Sequence, residues 1–223
     1  MIVPDLPEEF VVEFLPSFFK ALSAPRAAEA PRPAALAAVR TGTAVPKGAA
    51  RPSARATAPA AVGIRVVGVN EWTLRITPTE IAASAGVAVD VALQVSLLAS
   101  DFAPLVVEPV RRAVAALDAG KAPAASLWSR LGRWDQETVE LLRQQTGRIL
   151  VRVDDHGTVR KVALTPGVQP YSLDHAECTI DCKMSDLLDL QAKQTSPLDL
   201  FYAGQIRIAG DAQIALAMAG LFL

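Results

Sequence analysis

Two cysteines, two histidines and a few clustered carboxylates are the residues of this chain whose types could do chemistry. Cys178 and Cys182 stand four apart, which is not the Cys-x-x-Cys spacing of a redox or metal pair. The segment "AECTIDCKM" alternates Cys178, Ile180 and Cys182. A strand there puts both thiols on one face, about 13 Å apart at about 3.3 Å per residue. A direct disulfide needs Cα atoms within about 7 Å. The pair therefore reads as two small core hydrophobes. His156 falls in "DDHG", a turn, together with Asp154 and Asp155, and these carboxylates are expected to be solvated. Ser172, Asp174 and His175 have the residue types of a hydrolytic triad. Such close neighbours along a chain rarely point at one another, and no nucleophile elbow accompanies them. No P-loop, dinucleotide fingerprint or metal-ligand spacing occurs. The expectation is a protein with no catalytic residue, no metal and no cofactor.

Composition does not point to a nucleic-acid binder. The formal net charge of the 223 residues is -1, so no global field attracts nucleic acid or an anionic membrane. Hydrophobic residues make up 51% of the chain, enough for a substantial core. No window reaches 18 apolar residues, so stable membrane insertion is not expected. The start, "MIVPDLPEEFVVEF", is acidic where a secretory leader is basic, and a cytoplasmic location is expected. The Ala, Arg and Pro usage suggests a bacterial source.

The elements that would position these residues fall into blocks. In "LPEEFVVEFLPSFFKALSA", Phe10, Val11, Phe14, Leu15, Phe18 and Phe19 recur at helical spacing, and Pro16 should kink or divide the helix. Residues 1–23 are read as a helix that docks on the body of the protein. Residues 24–62 are dominated by Ala and Pro and are read as a disordered linker. "GIRVVGVNEWTLRITP" reads as a hairpin, and the alternation Val89, Val91, Leu93, Val95 as a third strand. "SDFAPLVVEPVRRAVAALDAGK" reads as helix divided by Pro104 and Pro109. A capped helix follows from Asp135 to Gly147. The strand pattern then restarts with the hairpin "GRILVRVDDHGTVRKVAL". It continues through the Cys178 strand, a helix capped by Ser185, a Ser196–Asp199 capping box, the strand "GQIRIAGD" and a helix capped by Asp211. The order of elements in residues 63–146 repeats in 147–223, which points to an internal duplication.

The last ten residues, 214–223, carry no polar side chain. Ile214, Leu216, Met218, Leu221 and Phe222 lie all around a helix, and a helix apolar all round must be covered all round. Each covered Leu, Met or Phe contributes about 1.5–3 kcal/mol. The cover is the sheet on one side. On the other it is the other repeat, a bound lipid, a partner protein or a second copy in a homodimer.

"SPLDLFYAGQIRIAGDAQIALAMAGLF" resembles the C-terminal signature of the sterol carrier protein 2 (SCP-2) family. Gly204, Ile206, Ile208, Gly210 and Asp211 match its Gly-bounded strand and Asp cap, with Gln205 where the family usually has Lys. "DCKMSDLLDLQ" is similar to the strand that leads into the family's helix start. Less closely, "EEFVVEFLPSFF" and "NEWTLRITP" resemble its first helix and its Trp-bearing second strand. The resemblance implies an α+β fold, a mixed five-stranded sheet covered by helices around an apolar tunnel, here duplicated. It implies non-catalytic binding or transfer of sterol or fatty-acyl lipid. The lipid-contacting residues it suggests are Ile180, Cys182, Leu187, Leu188 and Phe201, with Ile206, Ile208, Leu216, Met218 and Phe222. The alternative is an accessory module whose apolar C-terminal helix docks on a partner enzyme or a second copy.

Overall fold

The computed structural model describes residues 2–23, 60–77, 80–119, 136–191 and 195–215. The linker assigned to 24–62 lies outside them up to residue 59, as do Asp135 and the last eight residues. Among the described residues, eight strands form one sheet: β1 Ala60–Val67, β2 Asn70–Ile76, β3 Ile81–Ala85, β4 Leu93–Leu98, β5 Ile149–Asp155, β6 Thr158–Pro166, β7 Cys178–Lys183 and β8 Arg207–Gly210. Their order across the sheet is β3-β2-β1-β4-β6-β5-β7-β8.

The order contains a recurring unit. β1 and β2 form an antiparallel hairpin, and β4 returns parallel to β1. β5 and β6 form an antiparallel hairpin, and β7 returns parallel to β5. β3 extends only the first unit, and β8 only the second. The units join where β4 pairs antiparallel with β6, from Leu93 opposite Pro166 to Leu97 opposite Val162. The expected α+β class holds, but the expected five-stranded sheet does not. Pairing of β4 with β6 fuses the strands of both halves into one sheet, and this long-range pairing leaves no local mark in the sequence.

Both hairpin turns lie where the glycines demand. The first turns at Gly68 and Val69. In the second, His156 and Gly157 both take positive φ, 54° and 88°. That is the two-residue geometry that follows strand twist, and the Asp154 carboxylate accepts the Gly157 N–H at 2.8 Å. The third strand is shorter than the alternation suggested. Val89 is 92% exposed in a turn, where Asp90 makes a two-pronged ion pair with Arg75. Strand β3, Ala and Ser after its first residue Ile81, carries too little β-branched content to be recognised.

One face of the sheet is mostly apolar, with Arg160 and Asp155 at its end. Val62, Ile64, Trp72, Leu74, Leu93 and Leu97 meet helix α1 and helix α2 there. α1 begins as a π-helical turn, Glu9–Phe14, and continues α-helical through Leu15–Ser23. α2 runs Ala99–Phe102, then a π-helical Ala103–Val107, then Glu108–Asp118. The prolines therefore do not divide these helices. In each, a widened turn closed by an i→i−5 bond lies just ahead of a proline, Leu15 N–H to Phe10 O and Glu108 N–H to Ala103 O. It absorbs the proline's missing donor and its ring. The phenylalanines lock the layer: Phe10 stacks on Phe14 at 5.4 Å and meets Phe102 edge-on at 5.5 Å.

The opposite face mixes polar residues with a small apolar cluster of Leu150, Ala163 and Leu173, and is crossed by residues 167–177. Gln94 donates to Gly167 O, Arg148 donates to Pro170 O and His175 O, and the Arg65 guanidinium lies 4.3 Å above the Tyr171 ring. Ser172 Oγ accepts the N–H groups of Asp174 and His175. The triad-like cluster is thus a turn of this strap, its hydroxyl engaged by backbone. Buried Asp101 ties the halves together. It accepts the Lys161 N–H at 3.0 Å and lies 3.5 Å from the Arg160 guanidinium. Its counterpart after β7, buried Asp186, accepts the Lys183 N–H at 3.2 Å. Helix α4, Met184–Gln191, begins one residue ahead of the expected Ser185 cap, because Asp186 satisfies the backbone there.

Candidate functional site

Over β5, β7 and β8 the apolar face changes character. In the first half its side chains are nearly all sealed: Leu74 and Leu97 are completely buried, and Val62, Val66, Trp72 and Ile76 almost so. In the second half, Val153, Cys182, Leu200 and Ile206 form a small buried cluster. Val151, Ile180, Ile208, Leu187 and Leu190 around it are only partly covered. The strand register sets Val151, Ile180 and Ile208 side by side, with Val153 beside Cys182. Opposite this sheet wall stand helix α4, helix α3 (Gln136–Gln144), which buries Val139 and Leu142 in the main core, and helix α5 (Pro197–Tyr202). The result is an aliphatic surface between sheet and helices.

Local signals in the sequence fix the helices around it. Ser196 and Asp199 form the expected capping box: Ser196 Oγ accepts the Asp199 N–H at 3.1 Å, and the Asp199 carboxylate accepts the Ser196 N–H at 3.3 Å. Pro197 occupies the first turn. Replacing Ser196 with alanine is expected to cost about 1 kcal/mol in a urea titration, and to leave the rest of the fold intact. Asp211 accepts the Gln213 N–H at 2.9 Å, and helical backbone follows at 212–215.

Five of the ten residues suggested as lipid contacts come together here: Ile180, Cys182, Leu187, Ile206 and Ile208. Leu188 is half-buried outside this cluster. Phe201 is 46% exposed and lies edge-on to Tyr202, because α5 turns Leu200 inward. Leu216, Met218 and Phe222 lie outside the described residues. Sequence reasoning did not single out Val153, Leu190, Leu200 or Leu105, which pack into the same cluster. Helical periodicity could have marked Leu190 and Leu200.

Cys178 and Cys182 are both free thiols. Cys178 is completely buried in the main core, and Cys182 is 8% exposed in the second cluster. Burial pushes the Cys182 thiol up to about 11, and the carboxylates of Asp186 and Asp181 push in the same direction. Burial also raises Cys178. Thiolate is the reactive form. Alkylation of the native protein by iodoacetamide at pH 8 is therefore expected to be slow at both positions. It should become fast in urea, where the thiols return to their ordinary range. Fast native labelling of Cys182 would contradict this placement. Among the described residues no cluster of His, Cys, Asp and Glu could hold a metal ion, and no helix is long and apolar enough to cross a membrane.

Residues 129–223 match the SCP-2 sterol transfer family. Similar solved structures include sterol carrier protein 2 like 2 from Aedes aegypti, 17% identical, covering 50% of this chain and 97% of that one at a TM-score of 0.31. They also include sterol carrier protein domain 2 of Helicoverpa armigera, 21% identical, covering 40% and 73% at 0.31. The apo form of sterol carrier protein 2 from Yarrowia lipolytica is 14% identical, covering 39% and 74% at 0.31. No curated protein matches the sequence. The similarity to the SCP-2 sterol transfer family therefore lies in the C-terminal part of this chain, residues 129–223.

Proposed function

We propose that this protein is a non-catalytic carrier that holds a fatty-acyl or sterol lipid between β5, β7, β8 and the helices facing them. One observation carries the reading: the contrast along a single sheet face. The first half closes Val62, Leu74, Trp72 and Leu97 completely or nearly so, whereas the second leaves Val151, Ile180, Ile208, Leu187 and Leu190 partly open. Partly covered aliphatic side chains gathered on one surface are the kind of lining an apolar ligand requires. Covering each of them further is worth up to about 1.5–3 kcal/mol, so a long chain gains affinity from contact alone. The family match of this half supports the same reading. The shared order and sense of β1-β2-β4 and β5-β6-β7 supports reading the halves as tandem units, the first filled and the second open.

Titration of the full chain with a fluorescent fatty acid tests the proposal. Saturable binding that unlabelled fatty acid reverses is expected. An accessory module with a filled core would give no saturable signal, and its hydrodynamic size would instead grow with protein concentration.

A further inference from the structure

Resting on that lipid-carrier reading, we propose that Leu105, a residue of the N-terminal half, forms part of the wall of the C-terminal lipid site and sets the length of chain it accepts. Leu105 lies 24 residues before the stretch that matches the family. It is nevertheless packed against the cluster of Val153, Cys182, Leu200 and Ile206. Its neighbours on α2 face the main core instead, which draws residues from both halves. Phe102 and Val107 are fully buried in the main core, and Ala103 and Val106 pack against that core.

The π-helical turn explains the split. In an α-helix, residues five apart differ by about 140° and face opposite sides. The turn Ala103–Val107, closed by Glu108 N–H to Ala103 O, brings positions five apart back toward one side. Phe102 and Val107 can then both face the main core, and Leu105, midway between them, faces away from it toward the second cluster. Two features hold that geometry. The Asp101 carboxylate anchors the start of α2 to β6, and β4, the strand before it, pairs with β6. The second half therefore does not close its own site. Part of the cover comes from the first half, across the join in the sheet.

The test uses the full chain with Leu105→Ala and Leu105→Trp. Leu141→Trp, at an exposed position on α3 outside both clusters, is the reference. Octanoate, laurate and stearate compete against a fluorescent acyl probe, and the ratio of stearate to laurate affinity is read. Each accommodated methylene is worth about fourfold. Leu105→Ala should shift the ratio toward stearate by at least about fourfold, Leu105→Trp toward laurate by as much, and Leu141→Trp should leave it unchanged. Should the tryptophan variant fail to fold, the alanine variant alone decides. A wild type that binds, with the ratio unchanged in folded Leu105 variants, overturns the role of Leu105 and leaves the carrier reading standing. A wild type that takes up no probe overturns both.

Discussion

Gly210→Ala is expected to destabilise the protein by about 2–5 kcal/mol and to free β8 from β7. Gly210 closes β8 with φ of 85°, a left-handed conformation that costs a residue bearing a Cβ about 1–2 kcal/mol. A Cβ there would also sit 2.2 Å from the Glu177 carbonyl oxygen, which is rigid backbone. Relieving such a contact adds about 1–3 kcal/mol. The close approach has a purpose: Glu177 O accepts the Asp211 N–H at 2.8 Å, which joins the end of β8 to the start of β7 just before Asp211 caps the next helix. Gly204 separates the two contributions. Its φ is 70°, yet nothing lies within 4 Å of its would-be Cβ, so Gly204→Ala should cost only about 1–2 kcal/mol. Urea titrations of the two variants measure the difference. Equal losses would contradict the steric part of the account.

The second large effect concerns binding. Ile180→Asp is expected to weaken fatty-acid binding tenfold or more, which corresponds to about 1.4 kcal/mol or greater. Ile180 sits between Val151 and Ile208 in the middle of the partly open wall, and a carboxylate there meets neither water nor a partner when an acyl chain covers it. Thr179→Asp is the matched control. The pleat points its side chain to the opposite face, one residue away, so the same charge should leave binding nearly unchanged. Competition titrations on both variants, with circular dichroism to show that each is folded, decide the point. Equal losses in the two would place the lipid somewhere else.

Much of this arrangement is legible locally. The turn at His156 and Gly157, the Ser196–Asp199 capping box and the Asp211 cap depend on a few adjacent residues, and the sequence states them directly. The strand carrying Cys178, Ile180 and Cys182 is legible because alternation over six residues has a single sense. Three things are not written that way. Beyond Ile81, strand β3 is made of Ala and Ser, whose pairing with β2 supplies what their propensity lacks. The antiparallel pairing of β4 with β6 joins residues about 70 apart in the chain, so the single sheet is invisible to any short window. The π-helical turns escape a search for 3.6-residue periodicity, and with them the inward direction of Leu105. In the candidate site, the residues named from the sequence lie on strands and helices or, like Ile206, just beside one. Leu105, which was missed, depends on the join between the halves.

Native mass spectrometry of the full chain, purified without detergent and then given fatty acid, tests the central claim most directly. A one-to-one adduct of fatty-acid mass that dissociates as an intact lipid on collisional activation is the result the account predicts. A chain that shows only its own mass, both as purified and after fatty acid is added, would contradict it.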